Sequence, residues 1–118
     1  MIATLRMLLS ALAAQLLGTV REVEANSTVA VVKVQALLRV MDFVTAAIFT
    51  AKRSNDTPAE NEQILAQLES QLTSFERDTR ELVARGAHHA EARHEIAAGA
   101  LAQLRAVSFA AEVEEMTS

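Results

Sequence analysis

Apolar positions in the first part of the chain recur with a helical period. Advancing about 100° per residue, Ile2, Leu5, Leu8, Leu9, Leu12, Leu16, Leu17, Val20 and Val23 fall on one half of a wheel. This spacing predicts an amphipathic helix over residues 2–25. The next run, Thr28 to Lys52, is apolar round most of its circumference. Only Thr28, Gln35, Arg39, Asp42 and Ala46 form a narrow, mostly polar strip, which predicts a largely buried helix over 28–52. Its start, Val29 to Val34, is β-branched enough for a short strand, but the sequence offers that strand no pairing partner. Ile64, Leu65, Leu68, Leu72, Phe75, Leu82 and Val83 mark a third helix over 58–85, with Glu76/Arg80 and Glu81/Arg85 as i,i+4 pairs outside the stripe. A fourth, over 88–115, uses Ile96, Ala97, Leu101, Leu104, Val107, Phe109 and Val113, with many alanines that permit close approach to a neighbour.

Punctuation supports the same division. Thr57 can cap a helix whose first position is Pro58, and Glu60 completes a Thr-x-x-Glu capping box. Gly86 suits the left-handed residue that closes a helix, and Asn26-Ser27-Thr28 offers another cap. The reading is one all-α domain over 1–118, a four-helix antiparallel bundle. One pattern argues for an alternative. Ile2, Leu5, Leu9, Leu12, Leu16, Thr19, Val23, Asn26, Ala30, Lys33, Leu37, Val40, Val44 and Ala47 keep heptad spacing across the proposed break. Residues 2–52 would then be one long helix, and the protein a two-helix hairpin forming a four-helix bundle as a dimer. The polar seam positions Thr19, Asn26 and Lys33 favour the break.

Composition agrees with helices. The 118-residue chain is 51% hydrophobic and only 3% aromatic, with three Gly and one Pro, too little punctuation for an all-β fold. A net charge of −4, scattered Lys and Arg and no Trp or Tyr leave no footprint for nucleic acid. The absence of Cys excludes disulfides, thiol catalysis and Cys-based zinc sites, and makes the cytoplasm the expected compartment. Arg6, the apolar run Met7–Val20 and the small-residue spacing of Val23 and Ala25 imitate a secretory signal, so export is the alternative. The uncharged run is short of the roughly 20 residues that span a bilayer, and membrane association is not expected.

Ile, Leu, Met, Val and Phe number 23 in residues 1–50 and 14 in residues 51–118. The first half has more to bury than the second can cover. A second copy, or a protein partner, is expected to cover the excess. Roughly 800 Å² of apolar area per chain, at about 25 cal/mol per Å², contributes on the order of 20 kcal/mol before association costs. The expected function is therefore a non-enzymatic interaction protein (an adaptor, chaperone-like or regulatory subunit) without a cofactor. Its expected contact residues are Leu5, Leu9, Leu12, Leu16, Leu37, Val40 and Val44.

Candidate chemistry is confined to Gly86–Glu95, which holds all three histidines. On a helix, Glu91 and His94 are neighbours, the Glu-x-x-His spacing by which bundles present ligands to iron or manganese. One chain has a single copy, so a metal site using His88, Glu91 and His94 calls for a dimer interface, with Glu62, Glu69 or Glu76 as further ligands. His94-Glu95-Ile96 also resembles the start of the phospho-accepting box of histidine kinases, with Ala97 at the place of its basic residue and Gly99 at that of its proline. The resemblance implies a histidine phosphotransfer module in which the His94 imidazole is the nucleophile. Lys33, among apolar neighbours, is explained by a side chain reaching out from a helix end.

Overall fold

The computed structural model describes residues 1–24 and 27–117, with the side chains of 1–23 and 27–108. It is all-α, with four helices: α1 (Ile2–Glu24), α2 (Thr28–Arg53), α3 (Pro58–Ala84) and α4 (Ala90–Thr117). The short connections turn each helix back along its predecessor, giving an up-down-up-down bundle. α2 and α4 each pack against the other three helices, whereas the backbones of α1 and α3 do not approach closely and flank the α2/α4 pair on opposite sides. One flank of the bundle is therefore built from α1 and α2 alone.

The local signals act largely as expected. Ser27 is the N-cap of α2, its Oγ accepting from the Ala30 N–H at 3.2 Å. Of the triplet proposed as a cap, Asn26 lies outside the described residues. The alternative of one helix over 2–52 is not formed, because α2 starts afresh at its own cap and packs back against α1. Thr57 caps α3 through the Glu60 N–H at 3.2 Å, but the returning half of the box differs: the Glu60 carboxylate accepts from the Asn55 N–H at 3.0 Å. Gly86, at φ 71°, closes α3 in a Schellman motif, with Gly86 N–H on the Val83 carbonyl and Ala87 N–H on that of Leu82. His89 follows at φ 58°, and α4 starts at Ala90 rather than 88. His88 therefore sits in the connection, not on the helix wheel.

The core is continuous through the bundle. Leu5, Leu8 and Leu12 of α1 meet Leu37, Val40 and Val44 of α2, Leu68 and Leu72 of α3, and Ile96, Ala97 and Leu104 of α4. Phe43 and Phe75 meet edge to face at 6.4 Å between α2 and α3. Of the α4 positions read from the sequence, Phe109 and Val113 carry side chains outside the described set. Thr19 is buried in the seam and satisfies its hydroxyl on the Gln15 carbonyl at 2.9 Å. Lys33, which the sequence places as a lysine reaching out from a helix end, is largely covered and pairs with Glu95 of α4 at 3.5 Å. Among the described residues, Glu76–Arg80 forms at 3.8 Å and Glu81–Arg85 does not.

Candidate functional site

The expected partner contacts need correction. Leu5, Leu12, Leu37, Val40 and Val44 are enclosed within the chain's own core, and Leu9 and Leu16 pack against it. The physical reason is simple: a heptad seam is satisfied equally well by a helix of the same chain folding back as by a second chain. These seven positions are what closes the bundle.

The excess apolar side chains emerge elsewhere. Met7, Leu17, Val20, Val29, Val31, Leu38 and Phe49 are the exposed large hydrophobics among the described residues, and all belong to α1 and α2. Phe49 is 56% exposed, Leu17 66% and Met7 69%, so more than half of each residue's area stays in water in the single chain. On α2, Val31, Leu38 and Phe49 are separated by seven and eleven residues, so they line one stripe on the side away from the buried Val40 and Val44. A helix apolar on both sides buries one of them and presents the other.

Between Met7 and Val20, α1 carries no charged residue, and Arg6 and Arg21 bracket that band. Ile2–Val23 is, among the described residues, the stretch long and apolar enough to cross a membrane by length and composition, and 22% of its window is buried in the bundle. Charge divides with the layers. Residues 1–53 hold six Lys and Arg against three Asp and Glu, and residues 54–118 hold five against twelve. The first two helices thus carry a slight basic excess in sequence, with Lys33 paired to Glu95 and Arg39 over Phe75, and the last two a strong acidic one.

His88, Glu91 and His94 are not gathered into one site. His88 lies against His89, with ring centroids 3.8 Å apart and the rings tilted by 48°. Glu91 and His89 line a groove of about 450 Å³ with Val29, Lys33 and Glu95. His94 turns instead toward α3. Its Nδ1 lies 3.2 Å from Thr79 Oγ1, and its Nε2 faces Glu76 Oε1 at 3.9 Å. Glu76 is the one of the three proposed extra carboxylates that meets a histidine.

This geometry limits the chemistry. His94 and Glu76 offer two ligands where a protein metal centre uses three or more, and among the described residues no three His, Asp or Glu converge. For phosphoryl transfer the free nitrogen is Nε2, and the Glu76 carboxylate beside it repels an incoming phosphoryl anion. Sequence reasoning missed Thr79, which lies 15 residues before His94 and reaches it only through the turn at Gly86, and offered Glu76 only as one of three further metal ligands. A signal for them was present: both sit on one face of α3, three residues apart.

Compared with protein-family models, curated proteins and solved structures, the chain matches none.

Proposed function

We propose that the protein acts by association, as a non-enzymatic helical interaction protein, and that the outer face of α1 and α2 is its contact surface. The observation that carries this reading is the confinement of every exposed large hydrophobic among the described residues to those two helices. Isolated apolar residues on a surface need no explanation, but a set restricted to two of the four helices does. A second copy is the occupant this face suits. Two α1–α2 layers brought together cover Leu17, Leu38 and Phe49 without disturbing either core. The contact residues are then Met7, Leu17, Val20, Val31, Leu38 and Phe49 in place of the buried seam.

A double substitution tests this reading. Leu38→Glu with Phe49→Glu places two charges on exposed positions where the bundle loses little. Sedimentation is expected to show that the altered chain no longer associates, with helical content unchanged by circular dichroism. Association that persists in the double variant assigns the contact elsewhere.

A further inference from the structure

On the opposite flank, where α2, α3 and α4 meet, lies a groove of about 290 Å³. Two arginines from different helices line it, Arg39 of α2 and Arg93 of α4. Among the described residues neither has a carboxylate oxygen within ion-pair distance. This sets them apart from Arg77, Arg80 and Arg105, which pair with Asp78, Glu76 and Glu69. Arginine stays protonated at any working pH, so the groove holds two permanent positive charges. Its one carboxylate, Asp78, has Oδ1 3.8 Å from Arg77 Nε and is already partly compensated.

Arg39 is also held in place. Its guanidinium carbon lies 5.0 Å from the Phe75 ring centroid and 5.9 Å from that of Phe43. A guanidinium held over two rings by cation–π attraction retains N–H groups that can donate, and the contact removes part of the side-chain freedom that binding otherwise has to remove. The Gln35 amide adds a neutral hydrogen-bonding group at the rim, while Ala36 and Leu82 supply an apolar wall. Thr79 lines the groove too, but its hydroxyl hydrogen is committed to backbone carbonyls.

We propose that this groove binds a small organic anion, its oxyanion group held between Arg39 and Arg93 and a short apolar body lying against Phe75 and Leu82. Planar donors in a fixed fork match a carboxylate or phosphate through paired hydrogen bonds, which suits an oxyanion better than a halide. The groove shares α2 with the association surface but uses none of the exposed hydrophobics.

Nuclear magnetic resonance titration of the full chain at constant ionic strength tests this, with inorganic phosphate in one arm and hexanoate in the other. The expected result is saturable shifts at Gln35, Arg39, Thr79 and Arg93, with Leu82 and Phe75 responding to hexanoate only. Arg93→Gln is expected to weaken binding roughly tenfold or more, and Arg39→Gln likewise, while Arg105→Gln leaves it unchanged. Because Arg93 takes no part in the aromatic stack, its variant keeps the test valid even if Arg39→Gln perturbs packing. Shifts spread over surface arginines such as Arg6 and Arg21, no saturation in either arm, or full binding in Arg93→Gln would overturn the proposal.

Discussion

Thr79 Oγ1 sits 3.2 Å from Nδ1 of His94, and the same hydroxyl lies 3.0 Å from the Phe75 carbonyl and 2.9 Å from that of Glu76. A hydroxyl has one hydrogen to give. With two carbonyls competing for it, Oγ1 acts as acceptor toward the histidine, so Nδ1 carries the proton in neutral His94. Nitrogen-15 chemical shifts of the ring are expected to show the Nδ1–H tautomer. Thr79→Val keeps the volume, removes the acceptor and is expected to cost about 1 kcal/mol in urea unfolding, with the tautomer preference lost. An unchanged ring spectrum in that variant contradicts the assignment.

Leu37 and Leu38 are adjacent in sequence and opposite in role, one fully buried and the other 47% exposed. Leu37→Ala is expected to destabilise the chain by about 2–5 kcal/mol, as a cavity in a packed core does. Leu38→Ala, measured at the same protein concentration, is expected to leave the folded chain's own stability within about 0.5 kcal/mol and to weaken association instead. Denaturant midpoints together with sedimentation separate the two effects.

Much of the fold is legible in the sequence. Thr57-Pro58-Glu60, Ser27 and Gly86 each name a helix boundary by a local mechanism, and local mechanisms are what a linear sequence records. What could not be read was which side of α2 faces inward. Val31, Leu38 and Phe49 are as apolar as Val40 and Val44 and lie beside the polar strip, not within it, so how far the buried face extends round the helix is decided only by the placement of the other helices. The contact of His94 with Thr79 and Glu76 was hidden for a related reason. It depends on how α4 is rotated against α3, and the positive φ of His89 delays the helix start by two residues relative to the pattern.

Glycine positions give a paired stability test. Gly86 has φ 71°, and a β-carbon added there meets nothing within 4 Å, so Gly86→Ala brings no clash yet forces alanine into the left-handed region. The expected loss is about 1–2 kcal/mol. Gly99, within α4, also has open space around it, and Gly99→Ala is expected to stabilise by about 0.5–1 kcal/mol through helix propensity. Opposite signs in urea unfolding confirm the two conformations.

Salt discriminates a second copy from an acidic partner. The α1–α2 part of the chain carries no acidic excess, so a symmetric contact there draws on its apolar residues and not on opposite charges. Raising salt to about 1 M shortens the Debye length to about 3 Å, and self-association is expected to tighten. An interface driven by opposite charges loosens under the same change, and dissociation observed by sedimentation would exclude the symmetric arrangement.

The most direct measurement is the solution mass of the unaltered chain by light scattering at micromolar concentration. Association through the α1–α2 face predicts a mass of twice the 12.8 kDa chain. A mass of a single chain, unchanged as concentration rises, contradicts it.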